Sequence, residues 1–299
     1  MRHLTRLAGL AVACRLVSAQ ALPYPPQMEG ARVEVYKTAG DDPLNLYIFE
    51  PPGHSSSDRR PAIVFFFGGG WRAGSPQQFE QQCRHLAARG MVAITADYRV
   101  SSRNDTKVVD SVTDAKSAIR WVRQNAPRLG IDASRIAAGG GSAGGHLAAA
   151  AALISGLDEP GEDPAFSSRP DALVLFNPAL VLAPAEGTGW KRDPAEMRER
   201  AGVDPADISP YHHVSAGAPP TVIFHGKADT TVPYRTVEAF TKKMKEAGNR
   251  CELTGYEGRT HGFFNYGRNG SKWYAETLRA ADQFLISLGY LRGRVTQSE

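Results

Sequence analysis

The chain has 299 residues, of which 42% are hydrophobic and 22% charged, and its formal net charge is +4. Those proportions are ordinary for a globular protein with a buried core and exclude a disordered or low-complexity chain. No clustered lysine and arginine stripe points to a nucleic-acid partner, and no cysteine–histidine cluster has zinc spacing.

Taken in chain order, the N-terminus stands apart. Arg2 and Arg6 precede an apolar run at 7–13, small residues stand at Ala19 and Ala21, and no acid occurs before Glu29. The pattern predicts a secretory signal peptide over residues 1–21, hence a secreted or periplasmic mature chain, 22–299. Its removal takes away three arginines and no acid, so the net charge of +4 falls to +1. The run is too short, and too interrupted by Arg15, to be an integral membrane segment. Cys14 leaves with it. Cys83 and Cys251 remain, and their separation establishes no bridge, so two buried thiols are expected.

Alternation of apolar and polar residues predicts strands at 32–36 and 44–49, with a polar loop between the second and residue 60. The solid apolar run at 62–67 predicts a strand buried on both faces. A helix follows at 76–89 with Gly90 as its stop, then an apolar strand at 91–96. Val112, Ala115, Ile119 and Val122 have helical spacing within 110–125. A short strand at 135–138 and a helix at 143–154 come next, then strands at 172–176 and 221–224. A helix through Val237 and Met244, a strand at 251–256 and a helix at 274–288 complete the chain.

From residue 62 onward strands and helices alternate, which predicts a mainly parallel α/β sheet covered by helices on both faces. The first two strands have no helix between them and are expected to form an antiparallel edge. Residues 158–170 read as a polar loop. Residues 181–220, rich in proline, glycine and charge, read as an insertion near the strand tips, with a short helix near 194–201. The mature chain is expected to be a single domain.

Residues 139–145 read GGGSAGG, with Ser142 at the centre. Glycine weakens strands and helices alike, so five around one serine need a reason. A sharp strand-to-helix turn supplies it: the serine hydroxyl points outward, and residues two positions away, Gly140 and Gly144, must be small. This is the G-x-S-x-G arrangement of a nucleophile, and the following helix offers free backbone N–H groups to negative charge. A tight structural turn or phosphate loop is the alternative, but the Gly-Lys-[Ser/Thr] of a Walker loop is missing.

A serine hydroxyl needs a base. His261 stands in a loop after the last strand, the one place from which an imidazole hangs over the turn. His146, one helical turn past Ser142, reads as a packing or hydrogen-bonding residue, and His225 as a buried structural one. Asp229, just past a strand tip, is the orienting acid by chain order. Glu257 is the reserve acid, Asp97 reads as structural, and Asp110 and Asp114 as solvated. The oxyanion donors are expected at Ala143 and at Gly69 and Gly70, in the glycine loop after the strand at 62–67.

Together FGGGW, DYR, GGGSAGGHLA, HGKADTTVP and THGF resemble α/β-hydrolase serine esterases, in particular the hormone-sensitive-lipase-like and acetyl-xylan- or feruloyl-esterase-like branches. The resemblance covers nearly the whole mature chain. It implies Ser142 as nucleophile, Asp229 as acid, His261 as base, and Gly69, Gly70 and Ala143 as oxyanion donors, with no metal or organic cofactor. Phe67 departs from the family, which has histidine before the three glycines; altered loop stability or substrate preference is the expected consequence. Little chain precedes the first strand, so an open site is expected, rimmed by Trp71, residues 181–220, Phe263 and Phe264. The expected partners are small-molecule or polysaccharide esters, acetyl or feruloyl groups by analogy. A prolyl-oligopeptidase-like peptidase and a non-catalytic binding protein of the same fold remain as alternatives.

Overall fold

A computed structural model describes residues 24–293; the expected leader at 1–21 lies outside them. The described chain runs β1 (Arg32–Ala39), β2 (Asp42–Phe49), β3 (Arg60–Phe66), α1 (Glu80–Ala88), β4 (Val92–Ala96), α2 (Ser101–Asn104) and α3 (Val108–Gln124). It continues through β5 (Ile131–Gly141), α4 (Ala143–Leu153), β6 (Ala172–Phe176), α5 (Pro194–Ala201), β7 (Thr221–Gly226), α6 (Tyr234–Glu246), β8 (Cys251–Tyr256) and α7 (Lys272–Ser287). Among the described residues no helix is long and apolar enough to cross a membrane.

The strands form one sheet in the order β1-β2-β4-β3-β5-β6-β7-β8. β1 and β2 pair antiparallel, β2 meets β4 antiparallel, and every pairing from β4 to β8 is parallel. The expected α/β class and antiparallel N-terminal edge are therefore the ones observed. Alternation along β3 explains the two helical layers. Ala62, Val64 and Phe66 face the core with α3, α4 and α6, whereas Ile63 and Phe65 face the core with α1 and α7. Cys83 and Cys251 are buried free thiols that sit in these opposite layers.

The chain passes from β3 through α1 to β4, then through α3 back to β5 on the other side of β3. That reversal is a switch point, and the crevice beyond the carboxyl ends of β3 and β5 is where ligands bind in such sheets. The loop after β3 and the turn after β5 therefore share one edge.

β5 is longer than its apolar residues imply, because the glycines expected to end it remain in the ladder. Gly139 pairs with Phe65 of β3 and Val174 of β6. A Cβ there would stand 2.6 Å from Phe65 Cε1 and 2.6 Å from Val174 O, closer than packed atoms come. Local propensity loses to the fit between neighbours.

Asp114 corrects the expectation of a solvated carboxylate. It is fully buried and accepts hydrogen bonds from Lys37 Nζ at 2.7 Å, from the Arg99 guanidinium at 2.8 Å and from the Arg99 N–H at 3.0 Å. Helical position placed it on the face that meets β1 and the Arg99 segment, so the charge is buried with its partners. Asp110 caps the start of α3 by accepting from the Lys107 N–H at 2.8 Å.

Candidate active site

Ser142 is the hinge between β5 and α4, with φ 54° and ψ −115°. A non-glycine residue there is strained, by roughly 1–3 kcal/mol, and holds only where its surroundings over-determine it. Its N–H donates to Phe176 O at 3.0 Å, and its carbonyl accepts from His146 N at 3.0 Å and Ala179 N at 3.2 Å. The helix starts hard against β3: a Cβ on Gly144 would lie 1.9 Å from Phe66 O, and one on Gly140 2.5 Å from the Gly144 carbonyl carbon. Both positions flanking the serine must be glycine for this turn to close.

The loop after β3 passes beside the serine. A Cβ on Gly68 would stand 3.4 Å from Ser142 Cβ. Gly69 has φ 131°, and its carbonyl accepts from Arg72 and Ala73 N–H groups. Gly69, Gly70 and Ala143 line, with Ser142 and His261, one cavity of about 380 Å³.

Phe67 is fully buried and stacks on Tyr98 with ring centroids 4.1 Å apart, while the Tyr98 hydroxyl donates to Phe67 O at 2.8 Å. The loop is held further by Gln78, whose Oε1 accepts from Gly68 N at 2.6 Å and whose Nε2 donates to Asn265 Oδ1 at 2.9 Å.

His261 meets Asp229 across a hydrogen bond of 2.7 Å from Nδ1 to Oδ2. Asp229 Oδ1 accepts from the N–H groups of Thr231 and Val232, both at 2.9 Å, and His225 Nε2 lies 3.3 Å from Oδ2. Burial pushes the Asp229 carboxyl up, but hydrogen bonds from His225, His261 and the Val232 N–H outweigh it. The net result holds the group well below the usual carboxylate range. An ionised Asp229 fixes the proton of His261 on Nδ1 and leaves Nε2 as an acceptor. Glu257, the reserve acid, is instead exposed and paired with Lys227 at 2.5 Å.

The remaining predicted residues sort by geometry. His225 is fully buried and donates from Nε2 to Val232 O at 2.8 Å. Asp97 is buried, accepts from Tyr98 N at 2.8 Å and from the Tyr24 hydroxyl, and is pushed up by that burial to about 6. Trp71 and Phe264 line the cavity as walls, 5% and 1% exposed, rather than standing on an open rim. Phe263 turns the other way into the core, 5.0 Å from the Tyr256 ring, and is no part of the rim. The two rings sit edge to face across the turn, with centroids 6.4 Å apart, and only Phe264 reaches the cavity.

Four contributors had no motif to betray them. Asn177 follows β6 and accepts from Gly262 N at 3.0 Å, tying the His261 loop to the sheet. Arg200 of α5 donates to Gly70 O at 3.0 Å, and Arg268 donates to His261 O at 2.5 Å. Arg192 completes the lining.

Comparison with known proteins agrees with this geometry. A family described as "alpha/beta hydrolase fold" matches residues 63–265. The native structure of Est2, a thermophilic esterase of the planctomycete Thermogutta terrifontis, superimposes with a TM-score of 0.88 at 54% identity, covering 92% of this chain and 98% of that one. Structures of the same esterase with propionate bound and phosphorylated by paraoxon give TM-scores of 0.87 and 0.85, at 54% and 52% identity, covering 91% and 92% of this chain and 100% of those chains. The chain is also 29% identical, over 82% of its length, to the probable carboxylic ester hydrolase LipM of Mycobacterium tuberculosis, and spans 58% of LipM.

Proposed function

Because the chain belongs to the α/β-hydrolase-fold family, we propose that it is a serine esterase which cleaves carboxylic esters through an acyl-enzyme on Ser142. The observation that carries this reading is the 2.7 Å Asp229–His261 pair, whose His261 lines the same cavity as the strained serine. His261 Nε2 takes the Ser142 proton as the hydroxyl oxygen attacks the ester carbonyl. The oxyanion is stabilised by the N–H groups of Gly69, Gly70 and Ala143. Collapse expels the alcohol, which leaves with the proton from His261. Water then repeats the sequence on the acyl-enzyme and regenerates the serine.

The phosphorylation of Est2 by paraoxon supports a nucleophilic hydrolase, and propionate bound to Est2 supports short acyl groups. Export follows from the leader pattern at 1–21, and acetyl or feruloyl esters on polysaccharide extend the same proposal to bulky alcohols. The test is labelling with a fluorophosphonate probe beside a substrate panel: p-nitrophenyl acetate through octanoate, acetylated xylan, methyl ferulate and a peptide amide. Labelling of wild type and not of Ser142→Ala, with short esters turned over fastest, is expected. Folded wild type that neither labels nor cleaves any ester overturns the assignment, and cleavage of the peptide alone selects a peptidase.

A further inference from the structure

The cavity over Ser142 is lined by Arg192, Arg200 and Arg268 and, among the described residues, by no aspartate or glutamate. Among the described residues none of the three is ion-paired. Their hydrogen bonds go to the carbonyl oxygens of Thr231, Gly70 and His261. The contrast lies within α5 itself, where Arg198 points away from the site and pairs with Asp204 at 2.5 Å. Glu196, one helical turn before Arg200, lines the neighbouring hollow, and among the described residues it forms an ion pair with neither Arg200 nor Arg192. Burial, and then the Arg200 charge, depress the pKa of Arg192, while Glu196 acts the other way.

Arg192 also borders a second cavity of about 280 Å³ that adjoins the first through Ala179, Thr231 and Val232 and likewise has no acid among its described lining residues. Trp190 lines that second cavity and Asn177 the first, and among the described residues the buried atoms Trp190 Nε1 and Asn177 Nδ2 have no hydrogen-bond partner. Both atoms only donate. Among the described residues the two adjoining hollows are therefore rich in cations and poor in counter-charge. Like charges gathered beside a low-dielectric wall are unfavourable until an anion joins them, and guanidinium groups match a carboxylate in shape as well as charge.

We propose that Arg192 and Arg200, with Arg268 from the His261 loop, form an anion subsite beside Ser142, so that the preferred esters carry a carboxylate or similar anionic group a few atoms from the scissile bond. This rests on the esterase reading above and names its substrate class. The anion belongs either to the acyl part or to the alcohol part of the ester, and the two are separable by experiment. Arg192 is the residue to vary, since Arg200 also holds the oxyanion loop through Gly70.

The test compares matched pairs: p-nitrophenyl hemiglutarate against methyl p-nitrophenyl glutarate for the acyl side, and O-butyryl glycolate against its methyl ester for the alcohol side. In wild type at low ionic strength the anionic member of at least one pair is expected to have a kcat/KM about 10-fold or more above its neutral partner, and 0.5 M NaCl is expected to erode that ratio. Arg192→Gln is expected to collapse the ratio about 10-fold, and Arg192→Lys to restore part of it. Equal or better turnover of the neutral member in both pairs, or an unchanged ratio in Arg192→Gln, overturns the proposal. Calorimetric titration of glutarate into Ser142→Ala separates the two readings. Binding that is lost in the Ser142→Ala/Arg192→Gln protein keeps the subsite even if no ester is cleaved, and absence of binding sinks the subsite whatever the esterase assays return.

Discussion

The indole N–H of Trp71 donates to Nδ1 of His146 over 3.1 Å, and the ring's other nitrogen meets the carbonyl of Ile208 at 2.7 Å. Since an indole N–H only donates and a carbonyl only accepts, His146 carries its proton on Nε2 and is neutral. One fully buried ring thus joins the loop after β3, the helix behind Ser142 and the 181–220 segment. Replacing it with phenylalanine leaves two buried polar groups without partners, at roughly 1–3 kcal/mol each. His146→Phe is expected to lower unfolding free energy by about 2–5 kcal/mol and to slow ester hydrolysis as the loop loosens. Chemical denaturation reads the first effect; an unchanged midpoint would remove His146 from this role.

The same residue and Asp97 give stability two opposed pH dependences. Burial pushes the His146 ring down to about 4, from an ordinary value near 6.5, so between those values the unfolded chain binds the extra proton. That contribution is full above pH 6.5 and lost as pH falls toward 4. Burial pushes Asp97 up, from 3.8 to about 6, so there the folded chain binds the extra proton. That contribution is full below 3.8 and lost as pH rises through 6. Each is on the order of 3 kcal/mol. Urea titrations from pH 4 to 7 are expected to show a steeper rise of stability in Asp97→Asn than in wild type, and a shallower one in His146→Asn. Parallel curves for all three proteins would mean that neither group titrates as its burial implies.

Asp229→Asn keeps the side-chain shape but removes the charge that orders His261. An amide offers an N–H toward Nδ1 and favours the wrong tautomer, which in serine hydrolases of this mechanism costs about 10⁴-fold in kcat. A fall of about 10³–10⁴ in kcat/KM at pH 8, with probe labelling slowed in step, is expected. Because the native carboxyl is held below the usual range, its stabilising share is present above about pH 3.8 and is lost as pH falls toward the lower folded value. Activity within 10-fold of wild type would detach Asp229 from the chemistry.

Backbone strain at Ser142 predicts a trade between function and stability. Glycine adopts φ 54°, ψ −115° without penalty, whereas alanine inherits the strain. Both Ser142→Gly and Ser142→Ala are expected to abolish labelling. Ser142→Gly is expected to be the more stable of the two by about 1–2 kcal/mol, measured as a shift in denaturation midpoint at constant m. The reverse order would place the strain elsewhere.

Much of this architecture is legible before any fold is drawn. The solid apolar runs of β3, β4, β6 and β7 and the helical spacing of α3 announce themselves, because burial on two faces or one stripe leaves a periodic trace. The turn at Ser142 does too: the G-x-S-x-G spacing marks it in the chain, although the clash that demands Gly144 is with Phe66 of β3. Legibility fails where a residue's meaning is set by a distant segment. Asp114 has the helical position of a solvated acid until β1 brings Lys37 to it. Phe263 and Phe264 are equivalent on paper, yet one faces the site and the other the core.

By itself, then, the amino-acid order determined the alternation of elements, the mixed sheet with its antiparallel edge, and the positions at which a hydroxyl, an imidazole and a carboxylate could meet. Each of these depends on short-range sterics or on periodicity. Only the tertiary structure decided that β2 lies beside β4, that Glu257 turns to Lys227 rather than to His261, and that Arg192 and Arg200 of the 181–220 segment meet Arg268 of the His261 loop at one cavity with no acid among its described lining residues. Those outcomes rest on strand order and loop packing, which are set by long-range fit among buried surfaces and leave no periodic mark in the chain.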